Sequence, residues 1–272
     1  MTNSKNNKIK KNYERDTSLI YYDVTNYYFE SDDQNDFLRK GVSKEHRPNP
    51  IVQMGLFMDN NGISITYELF PGNTNDCLTY RPNFGRIKKE FHLGRVISVA
   101  DKGMTTGDNI WYTINTPTKD GYVFSMSVRG AEKSMKDYVL LTSEMEESDD
   151  KIIDIYRGLW RIEESFKVTK SELEARPVYV WTKEHIEAHF LTCFIALTIA
   201  RILEIKLGRK YSIGKISEFL SNSECTLIQQ NYYLFDYYDD ILKDIGKAMD
   251  IDFSKRIRTL GDRKKVLADT KK

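Results

Sequence analysis

The sequence predicts a mixed α/β protein, with strands gathered early and then alternating with helices. Three observations carry that prediction. Residues 18–30 (SLIYYDVTNYYFE) are dense in β-branched and aromatic side chains, which suit a pleated, half-buried strand. Val52–Met58 and Ile63–Phe70 flank the turn Asp59-Asn-Asn-Gly62, a hairpin signature. Ile152, Ile155, Leu159, Ile162 and Phe166 step by three and four, a helical stripe that must face a core.

In chain order, the first strand spans Leu19–Phe29, with Asp23 as its one internal charge. The hairpin pair follows, and a helix pattern fills Leu78–Phe91. Val96–Ala100 is a short buried-strand run that gives way at Asp101 to a glycine-containing turn. A further helix pattern leads to a strand at Tyr122–Ser125. The periodicity then predicts one helix over residues 154–170, followed by a largely helical C-terminal region. Phe190–Leu207 is the most apolar run, but Arg201, Glu204 and Lys206 interrupt it. It is expected to be a buried core helix, not a membrane span.

A chain of 272 residues can bury a substantial core. Its 41 basic and 40 acidic residues leave a net charge of +1, so any nucleic acid must be held by local patches. Such patches occur at Lys5, Lys8, Lys10 and Lys11, in the loop carrying Arg39, Lys40, Lys44, His46 and Arg47, and at Lys264, Lys265, Lys271 and Lys272. Three widely spaced cysteines indicate a reducing compartment and no zinc ribbon. The first residues lack the apolar stretch of a signal peptide, so a cytoplasmic location is expected. His185 and His189 have metal-ligand spacing but no third ligand nearby, and read as helix packing.

The chemistry-bearing residues are mostly acids. An isolated carboxylate in a central strand is costly to bury unless something pairs with it, and a divalent cation is a natural partner for Asp23. Asp101 stands at a strand's carboxyl end, where functional groups collect in open α/β sheets. Tyr156, Glu163 and Lys170 recur every seven residues, so one continuous helix would align them along a single face. Glu164 is turned about 100° from that face and is expected in solvent. Asp108 reads as a cap or turn acid. Trp160 and Trp181 suit stacking on an extruded base, although core packing is the expected use of both.

These residues carry a family resemblance. Asp23-Val-Thr25, Ala100-Asp-Lys-Gly-Met104, Asn109 and the spaced Tyr156, Glu163 and Lys170 resemble the signatures of DDE transposases of the IS4 superfamily, more closely its IS1634-like branch. The resemblance runs from roughly Ser18 to the C-terminus. It implies an RNase H-like catalytic core with a largely helical C-terminal region. It implies Asp23, Asp101 and Glu163 as catalytic carboxylates and ligands of Mg²⁺ or Mn²⁺, in a pair of ions that cut and join DNA strands. Tyr156 and Lys170 would grip phosphates. The family's Tyr-x-x-Arg-x-x-x-Glu pattern has Leu159 at its Arg position here, so Arg157 and Arg161 are expected to supply that contact.

The implied partners are double-stranded DNA, at the element ends and the target, and a second copy of the chain on DNA. No membrane is implied, and the DNA-bound protein would be nucleoid-associated. The expected domains are a polar tail over 1–17, a catalytic core over 18–176, and a helical region over 177–272 that packs on the core. The family's large insertion is expected to be shortened near 130–148, with a join near Leu140-Leu141. That shortening, and the small region before Asp23, suggest a truncated copy. Two rivals stay open: a catalytically silent remnant that binds DNA or a partner, and an unrelated hydrolase with paired acids, such as a glycosidase. The second needs no metal and leaves Tyr156 and Lys170 unexplained.

Overall fold

The computed structural model describes residues 15–44, 46–126, 139–235 and 238–269. Lys5, Lys8, Lys10, Lys11, Lys271, Lys272 and residues 130–138 of the region expected to be shortened near 130–148 lie outside the described residues. The chain divides into two compact units, Met1–Thr198 and Ile199–Lys272.

The first unit is built on a six-stranded mixed sheet. Its strands are β1 (Leu19–Tyr28), β2 (Ile51–Asp59), β3 (Ser64–Pro71), β4 (Ile97–Ala100), β5 (Gly121–Ser125) and β6 (Leu140–Thr142), in the order β3-β2-β1-β4-β5-β6. β1, β2 and β3 pair antiparallel, β1-β4 and β4-β5 pair parallel, and β6 returns antiparallel to β5. The 59–62 turn closes the hairpin as expected, with the Gly62 amide donating to the Asp59 carbonyl at 3.0 Å.

Alternation along β1 sends its side chains to two faces. Ile20, Tyr22 and Val24 join Phe57, Tyr80, Phe84, Ile87, Val96 and Phe124 in the core formed with α1 (Asp76–Glu90). Tyr21, Thr25 and Tyr27 face the other way, toward α3 (Asp149–Arg157) and α4 (Trp160–Ser171), after the intervening α2 (Gly107–Ile114). There Tyr21 Oη donates to the Ile155 carbonyl at 3.3 Å, and Tyr27 Oη lies 2.7 Å from Thr169 Oγ1. Asp23 belongs to this second set.

The single helix expected over 154–170 is instead two helices, parted at Gly158-Leu159. The Leu159 amide donates to the Tyr156 carbonyl at 2.9 Å and the Ile162 amide to the Leu159 carbonyl at 3.0 Å. These i→i−3 bonds tighten the chain to about three residues per turn and reset the helical phase. The cause lies on β1: the Tyr21 hydroxyl sits where Gly158 would carry a side chain, and a Cβ there would lie 2.1 Å from it. Tyr156 therefore sits on α3, while Glu163 and Lys170 share α4.

Other departures are smaller. β6 was not expected, because three residues cannot show an alternation. α5 (Lys183–Lys206) is long and apolar enough to cross a membrane by composition alone. It is not the wholly buried helix expected, since only one stripe (Ile186, Phe190, Cys193, Leu197) is buried while Leu191 and Ile199 are 49% and 61% exposed. Phe190 packs on Tyr27 and Phe194 on Tyr67, at centroid distances of 4.8 and 5.0 Å. His189 contacts the Ala175 carbonyl at 3.1 Å, the packing use expected of it.

The second unit holds α6 (Ile213–Asn222), α7 (Asp240–Met249) and α8 (Leu260–Asp269). Its core gathers Leu207, Tyr211, Ile216, Phe219, Ile241, Leu242 and Ile245. Ser212 and Asp239 cap α6 and α7 through their side chains. A three-stranded antiparallel sheet, β7 (Cys225–Gln229), β8 (Tyr232–Phe235) and β9 (Ile257–Thr259), adds to the helical region expected from sequence. Every residue of β7 is exposed, so no burial pattern was there to reveal it.

Candidate active site

Strand register assembles the site. Tyr22 pairs with Ala100 across the parallel β1-β4 ladder, so Asp23 and Asp101 come next on neighbouring strands, about 4.8 Å apart in backbone spacing. Ala100 in turn pairs with Phe124, which brings Ser125 beside Asp101. Ser125 Oγ donates to Asp101 Oδ1 at 2.9 Å, and Tyr156 Oη donates to the same oxygen at 3.3 Å. Glu163 stands exposed in the first turn of α4. Lys170, near the end of α4, donates from Nζ to Thr25 Oγ1 at 2.8 Å.

Electrostatics tie these groups together. Burial pushes the Asp23 carboxyl up to about 6; Lys44 and the Val24 amide oppose the shift, and the negative charges of Asp101 and Glu163 reinforce it. Burial lifts the Tyr156 phenol to about 12, with the same two carboxylates adding to the rise. Burial lowers the Lys170 ammonium to about 8, a shift that Lys44 increases and Asp23 resists. Lys44 reaches in from the 39–47 loop and donates from Nζ to the Val24 carbonyl.

Two arginines complete the expected set, and the structure places them differently. Arg157 pairs with Asp154 at 3.2 Å and lines a groove of about 310 Å³ with Leu140, Tyr156, Trp160 and Glu163. Arg161 turns from the acids, donating to the Asn60 carbonyl at 3.4 Å, bonding the Tyr21 hydroxyl and lying 5.7 Å from the Trp160 ring centroid. Leu159 is buried in the core. Trp160 and Trp181 are 52% and 48% exposed, which overturns the expectation that both pack inside. Glu164 is half-buried, not fully in solvent as expected, and Glu163 is the more exposed of the two.

Surrounding residues hold the loops. Asn109 is fully buried and donates from Nδ2 to the Met104 and Cys77 carbonyls at 2.8 and 3.0 Å, tying the turn after Asp101 to α1. Asp108 lies in the first turn of α2 and pairs with Arg81 at 3.5 Å. Local sequence did not mark Ser125, which only register brings to Asp101. Lys44 was visible as one of five basic residues in a loop, with nothing to single it out.

An all-oxygen set of three carboxylates suits a hard divalent cation. The Asp23 carboxyl is raised mainly by burial, with Asp101 and Glu163 adding to the shift. Among the described residues, no three His, Cys, Asp or Glu side chains form a ready-made metal cluster. The acids influence one another through space without closing into a cage.

The sequence profile described as Transposase DDE domain matches residues 18–199. Among solved structures, the chain is similar to a piggyBac transposase synaptic complex with hairpin DNA, seen by cryo-EM. That match has a TM-score of 0.53 at 11% identity and covers 93% of this chain and 57% of that one. The chain thus spans little more than half the length of that neighbour, and the likeness speaks for an RNase H-like fold alone. A Mos1 transposase paired-end complex with left transposon end shows a TM-score of 0.28 at 15% identity, covering 61% of this chain and 58% of that one, too distant to argue from. A search of curated protein sequences finds no match.

Proposed function

This chain belongs to the transposase DDE domain family, and from that premise we propose that it cuts and joins DNA strands using Asp23, Asp101 and Glu163. The observation that carries the reading is the register: two acids leave adjacent parallel strands side by side, with Glu163 close enough to act on Asp23 electrostatically. We place the chain in the IS1634-like branch of the IS4 superfamily on the Asp23-Val-Thr25 motif and the spacing of Tyr156, Glu163 and Lys170.

Asp23, Asp101 and Glu163 would hold Mg²⁺ or Mn²⁺. When bound, a pair of such ions supplies activation of an attacking hydroxyl and stabilisation of the departing 3′ oxygen. The protein's own groups do the positioning. Ser125 and Tyr156 donate to one oxygen of Asp101 and fix its carboxylate plane. Tyr156 keeps its proton across the physiological range, so it donates to oxygen and adds no negative charge near the phosphate. Lys170, held by Thr25, stays mostly protonated at neutral pH and grips a phosphate oxygen. Arg157 and Trp160 line the exposed groove next to Glu163, where the DNA strand would run.

A second reading, a silent protein that only binds DNA, is favoured by one observation: Leu159 is buried at the family's Arg position, while Arg161 is engaged elsewhere. The test is cleavage of duplex oligonucleotides carrying the inverted repeats that flank the gene, with Mn²⁺. We expect divalent-dependent, end-specific nicking that Asp101→Asn abolishes. End-specific binding without nicking favours the silent reading. Neither binding nor nicking overturns both.

A further inference from the structure

Away from β2, the edge of β1 is paired at its two ends and open between them. At one end the Ser18 carbonyl accepts from the Ile97 amide at 2.8 Å, and at the other the Tyr28 carbonyl accepts from the Val178 amide at 3.1 Å. Backbone groups alternate in direction along a strand, so the Val24 and Asn26 carbonyls face this same side. β4 stops at Ala100, opposite Tyr22, and the bridge to Val178 begins only at Phe29. Among the described residues, no strand pairs with 23–27 on this side. The opening adjoins Asp101, at the carboxyl end of β4.

Side chains fill the place of the missing strand. Asp23 Oδ1 accepts from the Val24 amide at 2.7 Å, and Lys44 Nζ donates to the Val24 carbonyl. A carboxylate and an ammonium thus meet at the two polar groups of one residue. The loop that carries Lys44 is fastened to the α1 face of the sheet. Asn26 Nδ2 donates to the Val42 carbonyl at 3.1 Å, and the Arg47 guanidinium lies 4.1 Å from the Tyr28 ring centroid. Lys170 arrives from α4, on the other face, where it donates to Thr25. The charges of Lys44 and Asp23 both act on Lys170, so two ammoniums flank the opening from opposite faces.

We propose that Lys44 holds a backbone phosphate of the DNA strand at this opening, acting from the α1 face as Lys170 acts from the α4 face. The inference rests on the strand-cutting reading above. A phosphodiester brought to Asp23, Asp101 and Glu163 meets like charge, and cations set beside the acids offset that repulsion. An ammonium has three donors, of which the Val24 carbonyl takes one, and a phosphate oxygen is a fitting acceptor for another. Lys44 is exposed, so DNA reaches it without any rearrangement of the core.

The test is fluorescence-anisotropy binding of the full chain to the inverted-repeat duplex over a salt series in EDTA, alongside the Mn²⁺ cleavage assay. Each phosphate contact contributes about 0.9 to the slope of log affinity against log salt. Lys44→Met should lower that slope by about 0.9, and Lys44→Arg should keep it. A single uncharged methylphosphonate is then moved through the terminal phosphates of the duplex. At one position its loss and that of Lys44→Met should be non-additive, because both remove the same contact. An unchanged slope, or additive losses at every position, overturns the proposal and leaves Lys44 as an internal counter-ion of Asp23 and Asp76. Nicking by the parent without Lys44 coupling counts against the Lys44 contact alone. Coupling without nicking counts against the cutting reading alone, and a parent that binds no duplex overturns both.

Discussion

Asp59 and Asp23 are acids on adjacent strands of one sheet, and the protein treats them in opposite ways. Asp59 is fully buried and internally answered: Arg15 Nε donates to Oδ2 at 2.8 Å and the Ile63 amide to Oδ1 at 2.8 Å. Arg15 is itself anchored by the Ile63 and Ser64 carbonyls. Asp23 receives its neighbour's amide and the field of Lys44, while Asp101 and Glu163 press further negative charge upon it. Burial raises both carboxyls. Asp59 has a direct ion pair with Arg15 at 2.8 Å, whereas Lys44 opposes the Asp23 shift through its charge. An acid balanced from within is structural; one left to be balanced from outside is the mark of a site.

The largest effect expected from this contrast is on chemistry. Asp101→Asn or Glu163→Gln should lower nicking on the order of 10³-fold or more, while thermal unfolding stays the same or moves upward. A variant that keeps a tenth of the parent's rate would move the reaction away from these acids. On the structural side, Arg15→Met strands Asp59 without its cation and should cost about 3–5 kcal/mol, read by urea unfolding. Nicking per folded molecule should be unchanged in that variant, and a selective loss of nicking would blur the distinction drawn here.

Between the two acids, on the Asp23 face of β1, Tyr21 governs how α3 meets α4. Gly158→Ala should destabilise by about 1–3 kcal/mol, because the new methyl meets the Tyr21 hydroxyl. Tyr21→Phe in the same chain should recover part of that loss, which a double-mutant cycle measures. Additive losses would mean that the hydroxyl does not set the break.

The smallest effect concerns Asp23 without divalent ions. Its folded carboxyl is raised from 3.8 to about 6, so between about pH 4 and pH 6 the folded state holds a proton that the unfolded state has released. Stability from this group is therefore greatest below pH 4 and falls as pH rises toward 6. At pH 7, Asp23→Asn should stabilise the metal-free chain by roughly 1–2 kcal/mol, somewhat under the 1.36 kcal/mol per unit limit, and should flatten that slope. Loss of stability instead would make Asp23 a second Asp59.

Much of this arrangement was legible in residue pattern, for local reasons. β1, the hairpin and α1 announce themselves through periods of two and 3.6 residues, which any chain with those faces must bury. Asp23 inside an apolar strand and Asp101 at a strand end stood out because a charge in such a place is unfavourable wherever the rest of the chain goes. The mixed α/β class followed from the same signals.

What tertiary structure alone decided depends on residues far apart in sequence. The seven-residue spacing puts Tyr156 and Glu163 on one helix, but Tyr21, 134 residues before the Ile155 carbonyl it bonds, takes the space at Gly158. Ser125 meets Asp101, and the Val24 carbonyl is left to Lys44, because the parallel ladders set where β4 and β5 stand against β1. Side-chain periodicity says which face a residue occupies but not which residue on another strand stands opposite. That second choice is made by long-range pairing and packing, and only the folded chain contains it.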